Sequence, residues 1–190
     1  MPAAGDRPAK SGMGRAMAIS STDPDWSREY YRPFSWAPSR ALLRSIRSYQ
    51  KAPAGLRGAL TRKLAVLRHR FWSVVTGADV PLNARLGGGL VMPHPNGIVV
   101  HPAASIGPNS LIFQQVTLGS KSGGVPRIGG HVEIGAGAKI IGAVTIGDHV
   151  RIGANAVVLQ DVPSGAIAVG NPARIMRAGA LAPTPAELNE

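Results

Sequence analysis

IGGHVE, IGAGAK, IIGAVT, IGDHVR, IGANAV and VLQDVP follow one another without a gap from Ile128 to Pro163, and this run decides the fold. Ile128, Ile134, Ile140, Ile146, Ile152 and Val158 stand six residues apart, and four positions after each comes Val132, Ala138, Val144, Val150, Ala156 or Val162. A period of six belongs to neither an isolated helix nor an isolated strand; it is the mark of a solenoid in which three hexads close one triangular coil. The first position is predicted to point inward and the fifth to sit, small, near a corner. Gly, Asn and Asp fill the turns, where positive φ is needed. Working outward, the frame holds at Val100, Ile106, Ile112 and Leu118, and again at Val80, Leu86 and Met92 after a two-residue slip around Pro93 to Val99. The step from Leu118 to Ile128 is ten residues long and contains SKSGGVPR. A solenoid pushes material out where its repeat is interrupted, so both interruptions are candidate site walls. Thirteen hexads predict a little over four coils.

Composition agrees with stacked strands. Of 190 residues, 44% are apolar and only 5% aromatic, so the core must be filled by Val, Ile, Leu and Ala; Gly at 24 and Pro at 16 imply frequent turns. The absence of cysteine excludes disulfides, thiolate zinc sites and a cysteine nucleophile, and fits a reducing compartment. With no signal-like apolar run in the first thirty residues, the chain is expected in the cytoplasm, with peripheral membrane contact left open.

The net charge of +11 is lopsided. Residues 1–75 hold fourteen Lys or Arg against four acids, and the remaining 115 residues hold seven against six. No acid occurs between Glu29 and Asp79, which points to phosphorylated small molecules or lipid headgroups as partners, or else to a solvated helix face. Residues 1–38 lack a period and read as a flexible arm. Residues 39–77 read as a basic helical segment: Ser39 is placed to cap a helix with Leu42, Leu43, Ile46 and Tyr49 on one face. Leu56, Leu60, Leu64, Leu67, Phe71 and Val74 then repeat every three or four residues up to a stop at Gly77. Residues 78–178 form the β-helix and 179–190 a tail.

Four stretches carry a resemblance: PHPNGIVVHPAASIGPN from Pro93, IFQQVTLG from Ile112, the long run from Gly123 to Val158, and GNPARI from Gly170. In this order they resemble the hexapeptide-repeat acyltransferases, and among them the serine acetyltransferase group. The resemblance implies an all-β, left-handed parallel β-helix behind a short α-helical segment, a homotrimer, and acetyl-CoA as co-substrate with no metal. It implies that His94 is the general base, since a hydroxyl is a poor nucleophile at neutral pH and an imidazole of ordinary pKa near 6.5 can take its proton. By the same resemblance the N–H groups around Gly119 and Ser120 would meet the oxyanion, and Ala136 and Ala154 would line the pantetheine arm. Lys139, Arg151 and Arg174 are available to the phosphates. His101, His131 and His149 read as corner residues, and His69 as part of a helix.

The sequence departs from serine acetyltransferases where they hold the amino acid. Pro93 stands where those enzymes place an aspartate, and the shortened loop offers Val125 before Pro126 instead of an arginine and a histidine. The acceptor expected on these grounds is a hydroxyl on a sugar or polysaccharide precursor, with L-serine as the alternative. A non-catalytic scaffold ranks below both. A three-histidine metal site of the γ-carbonic-anhydrase kind lacks the required spacing, and nucleic-acid binding lacks an aromatic platform.

Overall fold

Each hexad of the run becomes a strand of two or three residues and a turn, too short to stand alone and therefore dependent on rungs above and below. The computed structural model describes residues 19–31 and 35–177. Residues 1–18 of the expected arm and the tail 179–190 lie outside the described residues. Three parallel sheets wrap a left-handed β-helix. The first face holds β1 (Arg85–Leu86), β3 (Ser105–Ile106), β6 (Arg127–Ile128) and β9 (Thr145–Ile146). The second holds β4 (Leu111–Ile112), β7 (Glu133–Ile134), β10 (Arg151–Ile152), β12 (Ala166–Val169) and the antiparallel β13 (Arg174–Arg177). The third holds β2 (Val99–Val100), β5 (Thr117–Gly119), β8 (Lys139–Ile141) and β11 (Val157–Val158).

Single bridges at Asp79, Val91 and Val162 add a rung to each face, so the coil number is close to five instead of a little over four. The register records both interruptions. Partners lie 18 residues apart in regular coils (Glu133 with Arg151), 20 across the slip (Val91 with Leu111) and 22 across the loop (Thr117 with Lys139). Inward positions are sealed: Ile112, Leu118, Ile134 and Ile140 expose nothing, nor do Val132, Ala138 and Ala156 at the fifth positions. Fully burying a side chain of the Ile or Leu kind contributes about 1.5 to 3 kcal/mol.

Two helices precede the coil. Helix α1 (Pro38–Gln50) starts two residues earlier than the Ser39 cap suggested, with Ala37 as its N-cap. Proline at the first helical position has a preset φ and lacks an N–H that would be unpaired there anyway, so it outcompetes the serine. Its Leu42, Leu43 and Ile46 join the β-helix core. Helix α2 (Gly55–Thr76) ends at Gly77, whose φ of 65° is the left-handed stop expected for glycine.

Residues 19–31, read from sequence as part of the arm, lie along the coil. Asn109, itself left-handed at φ 59°, clamps them: its Oδ1 accepts from Asp25 N–H at 2.8 Å, and its Nδ2 donates to the carbonyls of Ser20 and Asp23, both at 2.8 Å. A short 3-10 helix, Trp26–Glu29, then brings Glu29 to Arg47 at 2.8 Å in a half-buried ion pair.

Candidate functional site

His94 lies at the corner between the second and third faces, in the bend between the Val91 bridge and the turn at Asn96 and Gly97. The two-residue slip falls here, so this corner is wider than those above it. Its imidazole is exposed and has no hydrogen-bond partner among the described residues. The bend is fixed from below, because Gly97 N–H donates to the carbonyl of Gly77 at the end of α2 at 2.8 Å.

The same corner recurs in each coil, joined by a ladder of backbone bonds. Gln115 N–H donates to Asn96 O at 2.9 Å, Gly137 N–H to Gln114 O at 2.8 Å, and Asn155 N–H to Ala136 O at 2.8 Å. Ala136 and Ala154 therefore stand on one edge with His94, two and three rungs away. At the usual strand spacing these separations are about 10 and 14 Å. Lys139 and Arg151 project from the two faces that meet at this edge. Lys139 Nζ donates to Gln115 O at 2.5 Å, and Arg151 lies 3.7 Å from Glu133 in an exposed ion pair. Arg174 is exposed in β13, just after the Gly170–Ala173 crossing that caps the edge through Val157.

Gly119 and Ser120 do not share the edge. Gly119 is the last residue of β5, paired with Ile141, and Ser120 leads from the opposite side of the third face into the loop. A Cβ on Gly119 would come within 2.8 Å of Ile141 Cδ1, a close approach that only glycine allows without a shift. The loop is a tight turn closed by reciprocal bonds between Lys121 and Gly124, each 3.0 Å.

The other histidines are structural in their contacts. His69 Nε2 meets Val80 O at 2.8 Å, which pins α2 to the coil, and His101 Nδ1 accepts from Ala103 N–H at 3.1 Å. His131 and His149 occupy successive corners between the first and second faces with their Nδ1 atoms 2.9 Å apart. Burial, and after it the neighbouring His149, hold the His131 imidazole below its ordinary pKa.

Two features escaped the sequence reading. Asp79 is exposed on the third face one rung beneath Val99, in the coil that precedes the His94 corner. The signal was available: Asp79 directly precedes inward-facing Val80, so alternation turns it outward. The second is a cavity of about 350 Å³ beside Pro93, walled by Arg28, Trp36, Arg40, Leu43 and Leu90. No signal in the chain joins the N-terminal segment to that corner.

Residues 126–160 match the family described as bacterial transferase hexapeptide (six repeats). The probable serine acetyltransferase 1 of Oryza sativa is 42% identical over 119 residues, 60% of this chain and 39% of its own length. The serine acetyltransferase of Escherichia coli K12 is 44% identical over 119 residues, 60% of this chain and 44% of its own. A serine acetyltransferase solved in complex with CoA superimposes with a TM-score of 0.63 at 35% identity, over 74% of this chain and 58% of that one. The soybean serine acetyltransferase complexed with serine gives 0.60 at 36% identity, over 73% and 56%. The chain thus spans less than half the length of these curated relatives. All of them are serine acetyltransferases, which favours the alternative acceptor over the sugar preferred from Pro93 and Val125. By its repeat, its coil and these relatives, the β-helix of this chain is of the hexapeptide-repeat acyltransferase family, in the serine acetyltransferase-like group.

Proposed function

We propose that the chain is an acetyl-CoA-dependent O-acetyltransferase that works as a homotrimer, with His94 as general base and L-serine as acceptor. The observation that carries this reading is the single edge on which an exposed His94 stands in line with the Ala136 and Ala154 corners. The donor would lie along that edge, its pantetheine arm against the two alanine corners and its phosphates toward Lys139, Arg151 and Arg174. His94 takes the proton of the acceptor hydroxyl as its oxygen bonds to the thioester carbonyl carbon. Collapse of the tetrahedral intermediate breaks the C–S bond, and the departing CoA thiolate recovers the proton from the imidazolium. Backbone N–H groups near Gly119 and Ser120 would reach the oxyanion only from a neighbouring subunit, since within one chain they stand across the third face. Asp79, one rung beneath Val99, and Arg40, in the wall of the cavity beside Pro93, suit an ammonium and a carboxylate.

The second reading, a sugar or polysaccharide-precursor hydroxyl, is favoured by Pro93 in place of an acid and by the tight Lys121–Gly124 turn in place of a longer loop. Each missing charged hydrogen bond weakens an amino-acid acceptor by about 1.5 to 3 kcal/mol. Release of free CoA thiol, measured with L-serine and with nucleotide sugars, decides between the two. A kcat/KM for L-serine of about 10⁴ M⁻¹s⁻¹ or more, ordinary for a native substrate, supports the first. Turnover confined to sugars supports the second, and no turnover with any hydroxyl removes both.

A further inference from the structure

Helix α2 has an apolar face that the fold does not use. Gly58, Ala65 and Thr76 are its buried residues, with Trp72 partly buried against the core. The Leu56, Leu60, Leu64, Leu67, Phe71, Val74 and Val75 stripe points the other way: Leu56 is 89% exposed, Leu60 68%, Leu67 66% and Val74 84%. At about 100° of rotation per residue these seven side chains occupy an arc of about 100°, opposite the buried face. Arg57 and Arg68 border the arc on one side and Lys63 and Arg70 on the other, all of them exposed. Near one end Trp36 is 78% exposed and stacks edge-on with Trp72 at 6.0 Å, and Trp72 with Phe71 at 5.0 Å. Scattered exposed leucines need no explanation, but a contiguous apolar strip along a whole helix does.

We propose that this outward face of α2 docks on an anionic phospholipid surface. The arrangement is that of a helix lying in the interface: apolar side chains directed into the acyl boundary, cationic side chains along both borders at headgroup level, and aromatic rings at one end. At 1.5 Å per residue the helix is about 33 Å long, and no helix among the described residues is long and apolar enough to cross a membrane, so α2 lies along the surface. Charge decides against a second copy of the chain as occupant. Apposing two such strips would bring Arg57, Lys63, Arg68 and Arg70 of both copies together, and between Glu29 and Asp79 there is no acid to neutralise them. An anionic headgroup layer neutralises these same cations.

The test uses the full chain, sedimented with vesicles of phosphatidylcholine alone or of phosphatidylcholine and phosphatidylglycerol at about 70:30. Binding to the anionic vesicles should be at least about tenfold stronger and should fall with added salt. The pair Leu60→Ser and Leu67→Ser should lose about tenfold or more of that binding, as should Lys63→Glu with Arg70→Glu. These side chains face solvent, so the variants should keep the circular dichroism spectrum and the light-scattering mass of the parent. Absence of binding to anionic vesicles overturns the proposal, and so does binding that the serine pair leaves unchanged. A light-scattering mass that falls in the serine pair would assign the strip to contact between copies and overturn it as well.

Discussion

The proposed role of His94 rests on an imidazole that the bend leaves exposed and unpartnered at a corner widened by the two-residue slip. His94→Ala should fold as the parent does, since the ring is exposed, and should lower the rate of thiol release by about 10² to 10⁴, the usual worth of a general base. A near-normal rate would remove His94 from the mechanism. His131 makes a different prediction. Its folded pKa is depressed by burial and by His149, with Glu133 opposing and Arg28 and Arg151 adding to the effect. The unfolded chain then takes up this proton first, near the ordinary 6.5. The corresponding stability is present above that value and is lost as the pH falls through it toward the folded pKa. His131→Asn keeps a residue type that tolerates the left-handed φ of 52° and removes the titration. Between about pH 7.5 and 5.5, calorimetry should therefore show a smaller fall in Tm for this variant than for the parent. Equal falls would show that His131 does not couple to folding.

Among the elements, the hexad strands are each too short to be stable, and the N-terminal segment at 19–31 is held mainly by one side chain. Asn109 is 1% exposed and closes three hydrogen bonds to that segment while sitting at positive φ. Asn109→Ala should cost about 4 to 5 kcal/mol, from about 1 kcal/mol for each of the three bonds and a further 1 to 2 for alanine in the left-handed region. Asn109→Gly should incur the first cost but not the second, since glycine adopts a φ of 59° without strain. Urea midpoints should rank parent, glycine and alanine in that order, and amide exchange in residues 20–28 should rise in both variants. Unchanged exchange would mean that the segment is held by Glu29 and Arg47 instead. The helices show how far periodicity reaches. The stripe on α1 and the stripe on α2 look alike in sequence, yet Leu42 and Ile46 are sealed while Leu56 and Leu60 face water.

On the scale of the molecule, the Ala136 and Ala154 corners and His94 share one edge while Gly119 and Ser120 stand across the third face, where Val99 and Leu159 remain partly exposed at 40% and 48%. A second chain laid against that face would cover these side chains and bring one copy's loop to another's His94. Light scattering should therefore give a trimer at micromolar concentration. A stable monomer that still transfers acetyl would refute the shared site.

What the sequence by itself determined is whatever a local period can state. The hexads named the inward residues from Val80 to Val162, located both interruptions, and placed Gly77 at the end of a helix, because each depends on near neighbours in the chain. Which corners fall in line was a tertiary matter. Register spacings of 20 and 22 residues at the slip and the loop, against 18 in regular coils, keep His94 on the same edge as Ala136 and Ala154 and leave Ser120 on another. The same holds for Asn109 reaching Ser20, for Asp79 one rung beneath Val99, and for the outward turn of α2: an apolar stripe shows that a helix has something to bury, but only the packed structure decides which face meets the core.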